Sequence, residues 1–413
     1  MPLKRLTTCA ATLALAAMAA SGCTVSQSSG PGTAAGNASK APENGIPKGP
    51  ITIGMPIALT GAINLYDGDT LIGARTAVKE INDAGGVDGH PLKLVTADTK
   101  SDIAQGGAAA LKVIARDAQF IIPTLDYNYG GGAARVAMQH DMIAVSSAGD
   151  LRFGLSIGKY MFNLYGGAPN EGSVLAQFAK QKNYKSVYVL TDTSIGHETS
   201  VCGAFKEVAR KLGIDVKQGD TFQQSDTSIA TQVTSVRSAQ AKVDAVMMCS
   251  YPPGGSSALR QLRSGGITKP ILLDQPFDGN MWEKAVPKPG ETYVVSLGVI
   301  TPGQDKNPVT SKVYKAAAAY TGKPLTFAQG ILTGYGAVQA IADGVKATNS
   351  VNGDKIAHYF ETWDKHKIGY GPTTWTPQCH VAAPRPMQIA SIAHNELRYV
   401  TAITPTTLPS KVC

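Results

Sequence analysis

The sequence predicts an α/β protein of two doubly wound lobes, and three observations support that fold class. From Pro50 onward, apolar runs of strand length alternate with segments whose apolar residues recur at helical spacing. This pattern is typical of a mostly parallel sheet covered by helices on both faces. Near residue 166 the alternation stops, and it then restarts with the same order of elements. A chain of 413 residues is also long for one hydrophobic core, so we expect two domains.

The first lobe is predicted to begin with the apolar run 51–57, a glycine-containing loop that carries Tyr66, and a helix that ends at Gly85 and Gly86. Glycine suits the left-handed conformation found at many helix C-termini. The further strands and helices of this lobe are predicted at 92–98, 101–116, 120–123, 131–141, 142–146 and 160–164. Residues 166–170 then form a predicted crossover.

The second lobe is predicted to repeat this pattern after the crossover. Its elements are predicted at 172–182, 186–190, 199–212, near Val216, 227–239, 244–249, 257–264 and 271–274, with a loop at 191–197. Helices at 308–321, 327–348 and 354–363 and a β region at 370–408 follow. Because the chain passes between the lobes more than once, we assign 50–166 plus 297–369 to the N-terminal lobe and 167–296 plus 370–408 to the C-terminal lobe.

Residues 1–22 have the pattern of a signal peptide. Lys4 and Arg5 precede an apolar, Ala-rich stretch that is too short to span a membrane comfortably, and Ala20-Ser-Gly-Cys23 resembles the box of a bacterial lipoprotein, in which the cysteine takes the lipid. Residues 23–49 are rich in Ser, Gly, Ala, Asn and Pro and are predicted to be a flexible tether. A lipid on Cys23 would hold the protein at the outer face of a cell membrane. The alternative is an ordinary secretory signal with a chance cysteine.

The cysteines and charges narrow the protein's class further. Beyond the leader and Cys23, four cysteines remain: Cys202, Cys249, Cys379 and Cys413. An even number in an oxidising compartment indicates up to two disulfides, with three possible pairings. We expect Cys202 with Cys249, because both lie near the ends of adjacent strands, and Cys379 with Cys413.

No CxxC pair and no histidine at metal-ligand spacing on one element occurs, so we expect no metal site. Lys plus Arg exceed Asp plus Glu by eight but form no basic block, which disfavours nucleic-acid binding.

The most specific motif is the opening of the folded chain, Ile53-Gly-Met-Pro-Ile-Ala-Leu-Thr-Gly61, followed by the helix and glycines from Gly73 to Gly89. In this motif the chain resembles the type I periplasmic binding proteins that serve ABC importers, in the leucine/isoleucine/valine branch. The resemblance extends from about residue 49 to residue 400. It implies two Rossmann-like lobes joined by several hinge crossovers, a ligand cleft between them, no cofactor, a small organic ligand, and delivery of that ligand to a membrane permease.

The resemblance also implies which residues face the ligand. It places the wall aromatic at Tyr66 and the pocket for the polar head at Leu125-Asp126-Tyr127 and Ser146-Ser147-Ala148. The lid loop is placed at Ile195 to His197, and Tyr251 on the second lobe. The segment Gln275-Pro-Phe277-Asp278 is placed where an acidic residue would receive an α-amino group. Plainer roles are open for several of them. Tyr66 could pack on its own lobe, Ser146 and Ser147 could cap a helix, His197 could be a solvated loop residue, and Asp278 could pair with Lys284.

Two departures from the family pattern bear on the ligand. The loop Thr124-Leu-Asp-Tyr-Asn-Tyr129 stands where amino-acid binders have a Ser-rich loop, and Ile195 and His197 stand where they have an aromatic residue. Besides an amino acid, the sequence therefore suggests a larger, flat or anionic ligand such as an aromatic carboxylate. Aromatic faces bury rings well, and histidine and hydroxyl donors suit a carboxylate.

Other classes of protein find less support in the sequence. The nucleophile elbow G-x-S-x-G and the metal motif H-E-x-x-H are absent, so a secreted hydrolase is disfavoured. A ligand-sensing lobe that works with a signalling partner remains the main alternative, since this fold also serves there. The three tryptophans, Trp282, Trp363 and Trp375, are expected in the core or on a lobe surface.

Overall fold

The computed structural model describes residues 45–393, 396–410 and 413. The predicted signal peptide, the predicted lipidation site Cys23 and the tether up to residue 44 lie outside these residues. None of the helices within the described ranges is long and apolar enough to cross a membrane.

The strands and helices alternate along most of the described chain. The strands are β1 (Ile51–Ile57), β2 (Leu92–Asp98), β3 (Phe120–Ile121), β4 (Ala144–Ser146), β5 (Met161–Asn163), β6 (Ser186–Asp192), β7 (Asp215–Phe222), β8 (Ala245–Cys249), β9 (Ile271–Leu273), β10 (Thr292–Ser296), β11 (His366–Ile368), β12 (Gly371–Thr373), β13 (Met387–Ala393) and β14 (Glu396–Ile403). The helices are α1 (Asn64–Asp83), α2 (Gly106–Ile114), α3 (Tyr127–Gln139), α4 (Arg152–Ser156), α5 (Gly167–Gln181), α6 (Gly196–Lys211), α7 (Ala230–Ala239), α8 (Gly254–Ser264), α9 (Pro308–Thr321), α10 (Ala328–Thr348) and α11 (Gly353–Phe360).

Two sheets form the centres of two lobes. The first sheet has the order β2-β1-β3-β4-β5, and its strands pair in parallel. The second has the order β14-β13-β10-β9-β8-β6-β7, parallel from β10 to β7 and antiparallel where β13 and β14 join. All seven residues of β1 are buried, as expected for a central strand covered on both faces. This is the α/β architecture that the alternation predicts.

The chain crosses between the lobes three times. It leaves the first sheet after β5, returns after β10 to form α9 and α10, which pack on α1, and crosses again before β13. Val381 still forms a bridge with Asn163 of β5. The buried Arg385 ties two of these crossings together, because its guanidinium donates to the carbonyl oxygens of Leu164 and Tyr370.

Most predicted elements appear near their expected positions, with two differences that bear on the site. The sequence places Tyr66 and His197 in loops, but Tyr66 lies in the first turn of α1 and His197 in the first turn of α6. The sequence predicts a loop at 191–197, which ends at His197. Gly196 instead starts the helix, and a Cβ there would meet the guanidinium of Arg152 in the other lobe, so a close approach explains this glycine. The short helix α4 was not predicted.

The cysteines and tryptophans lie as expected. Disulfides join Cys202 to Cys249 and Cys379 to Cys413. The first of these ties α6 to the end of β8. The three tryptophans are buried, and Trp363 stacks on Trp375 with ring centroids 4.9 Å apart.

Candidate ligand-binding site

The loops that follow β1, β3 and β4 in the first lobe and β6, β8 and β9 in the second meet around one cavity. Its volume is about 520 Å³, counting the open space at its mouth. Ligand sites commonly lie at this position, beyond the carboxyl ends of parallel strands. The cavity is lined by Ile63, Tyr66, Thr124, Leu125, Asp126, Tyr129, Gly149, Ile195, His197, Glu198, Tyr251, Gln275, Pro276, Phe327 and Gln329.

The first-lobe wall combines aromatic rings with one carboxylate. Tyr66 is buried and packs edge-on against Phe327, with ring centroids 4.9 Å apart. Asp126 caps α3, and its Oδ1 accepts from the backbone N–H groups of Asn128 at 2.8 Å and Tyr129 at 3.3 Å. Asp is among the preferred N-cap residues, which explains why the helix begins here. Burial raises the pKa of Asp126, and the nearby His197 opposes that shift.

The two lobes touch across the cavity, so the cleft is closed. The hydroxyl of Tyr66 donates to the carbonyl oxygen of Pro252 at 2.9 Å, and both groups are buried. On the opposite side, Gly149 of the first lobe faces His197 of the second so closely that a Cβ on Gly149 would overlap the imidazole. The two lobes therefore make direct contact at two points beside the cavity.

The second-lobe wall carries a carboxyl group that accepts no hydrogen bond from the described residues and whose side-chain partner is a second carboxyl group, that of Asp274. Glu198, in the first turn of α6, is fully buried and lines the cavity. Among the described residues, neither of its oxygens accepts a hydrogen bond. Behind it lies Asp274, whose Oδ1 accepts from the N–H of Ser250 at 3.2 Å while Oδ2 has no such partner. Burial and then repulsion by Asp274 raise the pKa of Glu198 well above its usual range, and burial also raises the pKa of Asp274.

A third acidic residue joins this wall from α5. Glu171 accepts from the N–H of Gln275 at 3.1 Å through Oε2, and its Oε1 lies 3.5 Å from Nε2 of His197. Glu171, His197 and Asp274 can each bring one ligand atom within 4.8 Å of the others, the spacing of a metal site. The sequence-based expectation of no metal site considered spacing within single elements, whereas these residues come from three. No Lys or Arg occurs among the described residues that line the cavity.

Four of the ten residues singled out from the sequence line the cavity: Tyr66, Asp126, His197 and Tyr251. Of the other six, Tyr127 packs edge-on against Phe153 on the far side of α3, and Phe277 packs on Trp282. Ser146, Ser147 and Ala148 are fully buried beneath the cavity floor, where Ser147 is hydrogen-bonded to Thr333 of α10.

Asp278 also lies away from the lining and does not pair with Lys284. Its carboxylate is fully buried, where it accepts from Gln275, from the hydroxyl of Ser296 at 3.0 Å and from the N–H of Ala328 at 3.2 Å. Ser296 ends β10 and Ala328 begins α10, so Asp278 joins the second lobe to the returning chain. Burial raises its pKa to about 8.

Several lining residues were not singled out from the sequence. Glu198 adjoins His197, and Gln275 and Gln329 lie inside segments that carry the family resemblance, but their side chains gave no signal of their own. The position of Glu198 in the first turn of a helix that follows a buried strand was the signal available. It was missed because that turn was predicted to be loop.

Two α/β lobes that close over a cavity, each supplying part of its wall, define a protein built to bind a small molecule between them. The chain belongs to the periplasmic binding protein family, whose sequence profile matches residues 50–396. The family consists of binding proteins, in agreement with the interpretation that this chain is not an enzyme.

Named relatives are similar over most of the chain. The Leu/Ile/Val-binding protein BraC3 of Rhizobium johnstonii is 26% identical over 332 residues, which cover 79% of this chain and 87% of that protein. The leucine-, isoleucine-, valine-, threonine- and alanine-binding protein of Pseudomonas aeruginosa is 23% identical, covering 74% and 81%.

Two solved structures share the fold. The leucine-binding protein LivK of Thermotoga maritima has a TM-score of 0.75 at 21% identity, covering 86% of this chain and 99% of that one. LivJ of Streptococcus pneumoniae, in complex with isoleucine, has a TM-score of 0.75 at 19% identity, covering 87% and 100%. These likenesses support the type I fold with two lobes.

Proposed function

We propose that the protein is an extracytoplasmic solute-binding protein that closes its lobes around a small organic molecule and presents the closed form to the permease of an ABC importer. The observation that carries this proposal is the cavity between the carboxyl ends of two sheets, lined from both lobes and shut by contacts such as Tyr66 to Pro252. The relatives named for binding branched-chain amino acids support the same role.

Hinge closure is the proposed mechanism. A ligand first occupies the wall of one lobe, and the other lobe then rotates over it about the three crossings. A ligand drives closure only by as much as it binds the closed form better than the open one. In this chain, lining residues come from both lobes, so the closed form offers contacts that neither lobe offers alone.

A lipid anchor at Cys23 completes the proposal. The box Ala20-Ser-Gly-Cys23 and the tether that follows support it. Cys23→Ala should release the protein from the membrane fraction into the soluble extracytoplasmic fraction, and wild-type protein should incorporate a labelled fatty acid. Release of wild-type protein without label would contradict the anchor and leave the binding role untouched.

The chemistry of the cavity bears on the kind of ligand. The suggested aromatic carboxylate relied on His197 as a donor, but His197 faces Glu171, and among the described lining residues there is no Lys or Arg to balance an anion. Amino acids and other solutes that carry a nitrogen cation fit this wall better, because Asp126 and Glu198 both face the cavity.

A thermal-shift screen of the mature protein tests the role. Amino acids, aromatic acids, amides, sugars and organic amines are added one at a time. A true ligand raises the melting temperature as its concentration rises above Kd, without being consumed. Small-angle scattering should then show a smaller radius of gyration with that ligand. Turnover of the solute, or no response to any class, would contradict the proposal.

A further inference from the structure

Four aromatic rings contribute to the lining of the cavity. Tyr66, Tyr129, Tyr251 and Phe327 all line it, and Tyr66, Tyr251 and Phe327 belong to one buried apolar cluster on which Tyr129 packs. The faces of aromatic rings carry negative charge and attract organic cations, and they also bury the carbon atoms that such cations carry.

Several polar groups that line the cavity are already hydrogen-bonded inside the protein. The side-chain amides of Gln275 and Gln329 each donate inside the protein, to Asp278 at 2.6 Å and to the carbonyl oxygen of Ser147 at 2.6 Å. The hydroxyl of Thr124 donates to Asp67 at 2.8 Å. Both oxygens of Glu198 lack a donor among the described residues. A buried carboxylate without a partner is costly, so the cavity is complementary to a ligand that brings donors and positive charge.

The helix end that would hold a carboxylate is already occupied. The resemblance places the polar head of an amino-acid ligand at the segment around Asp126, where backbone amides open α3. Here the amides of Asn128 and Tyr129 donate to the carboxylate of Asp126 itself. A second carboxylate at this point would meet a like charge without free donors. The other polar-head segment, which contains Ser146 and Ser147, lies beneath the cavity floor.

From these contacts we infer that the ligand is an organic ammonium ion without a neighbouring carboxylate, held by Glu198 and Asp126 and enclosed by the aromatic rings. The inference rests on the proposed function and specifies the class of its ligand. A bare metal ion at Glu171, His197 and Asp274 is the competing occupant. It accounts less well for the site, because Glu171 already accepts from Gln275 and the aromatic rings offer a metal no ligand atom.

Matched sets of probes test the inference on the full mature chain. Leucine is compared with 3-methylbutylamine, which lacks only its carboxylate, and with 4-methylpentanoate, which lacks only its amino group. Phenylalanine, 2-phenylethylamine and 3-phenylpropanoate form a second set, and choline represents quaternary ammonium ions. Calorimetry is run after dialysis against EDTA, with zinc and calcium ions as separate probes.

We expect at least one amine or choline to bind about 10-fold or more tightly than the amino acid and the acid, since one unpaired buried charge commonly costs that much. An amino acid that binds more tightly than its matched amine would overturn the inference and leave the proposed function standing. Binding by metal ions alone, or by none of the amines, would overturn it as well.

Two variants assign the charge partners. Glu198→Gln should weaken the best amine by about 10-fold or more, whereas Glu207→Gln, on the exposed part of the same helix, should leave it unchanged. Asp126→Asn keeps a good helix cap and removes the charge, so it should weaken the amine and narrow its advantage over the amino acid. Unchanged amine affinity in both cavity variants, with wild-type circular dichroism, would refute the assignment.

Discussion

The two walls of the cavity differ in how well their acidic groups are satisfied before any ligand arrives. In the first lobe, the lining residue Asp126 accepts from two backbone amides. Asp67, which lies outside the lining, accepts from the N–H of Ala58 at 2.7 Å and from Thr124 through Oδ2, while its Oδ1 has no partner among the described residues. In the second lobe, Glu198 has no donor among the described residues, and Asp274 has one. The first wall is therefore preorganised, whereas the second is incomplete until a positive group enters.

This difference explains how closure can depend on the ligand. If the second wall closes over an empty cavity, Glu198 is buried against Asp274. One of the two carboxyl groups must then be protonated, and the pair shares that proton. A cation in the cavity replaces that proton. In the proposed mechanism, the second lobe makes closure depend on the ligand, because its acidic groups lack donors. The first lobe provides a fixed surface.

The largest difference between the lobes is expected on removing a disulfide. Residues 50–166 and 297–369 contain no cysteine, while the Cys202–Cys249 bond holds α6, and with it Glu198, against β8. Cys202→Ala with Cys249→Ala should lower the free energy of unfolding by about 2–4 kcal/mol, measured by urea unfolding, and limited proteolysis should cut the second lobe first. The pair Cys379→Ala and Cys413→Ala is the control. Preferential cleavage of the first lobe would contradict this contrast.

Gly149→Ala tests the contact between the walls. A methyl group there would overlap the imidazole of His197, so the closed form should lose about 1–3 kcal/mol, or about 5- to 150-fold in ligand affinity. Calorimetry with the best ligand measures the loss. The control is Gly203→Ala, on the exposed face of α6, where a Cβ meets nothing within 4 Å. Wild-type affinity in Gly149→Ala would show that the ligand-bound form closes differently.

The pH dependence of stability probes the incomplete wall directly. Burial raises the pKa of Asp67 to about 7, of Asp278 to about 8, and of Glu198 well above its usual range. These groups bind more protons in the folded state, so the free energy of unfolding of the ligand-free protein should fall as pH rises from about 4 to about 8. Each group should contribute on the order of 1 kcal/mol for each unit by which its pKa is raised. The melting temperature should fall with it.

Single substitutions distinguish the contribution of Glu198 to the pH dependence of stability from the contributions of the other titratable groups. The titratable groups around it are Tyr66, Asp126, Glu171, Asp192, His197, Tyr251 and Asp274. Glu198→Gln should flatten the fall of melting temperature with pH. Glu207→Gln should change the profile only below about pH 5, because hydrogen bonds from Lys211 and Ser410 hold the pKa of Glu207 at about 2 in the folded protein and the group titrates near its usual value of about 4.3 only in the unfolded chain. Identical profiles for Glu198→Gln and wild type would argue against a raised pKa of Glu198 in the folded protein.

The smallest predicted effect concerns the hydrogen bond from Tyr66 to Pro252. Tyr66→Phe keeps the ring and removes the bond, which should cost about 0.5–1.5 kcal/mol, or about 2- to 10-fold in affinity. The loss should appear as faster ligand dissociation in stopped-flow measurements. Tyr129→Phe is the comparison, since its hydroxyl makes no described bond across the lobes. If both variants speeded ligand dissociation equally, the hydrogen bond from Tyr66 to Pro252 would have no particular part in holding the lobes closed.

The sequence predicts the fold far better than the site, and the residues show why. Strands such as β1 and helices such as α10 can be predicted because their apolar residues recur at a regular local spacing. The cluster of Glu171, His197, Glu198 and Asp274 comes from α5, α6 and the end of β9, and only the sheet order brings these together. Ser146 and Ser147 had the right position at the end of a strand, but α10 covers them, and that packing joins residues more than 180 positions apart.

Arg385 has a mechanical consequence. The guanidinium of Arg385 donates to the carbonyl oxygens of both Leu164 and Tyr370. One side chain therefore holds two of the three connecting segments together. Any movement of the proposed hinge would therefore have to move these two segments together or break the contacts of Arg385.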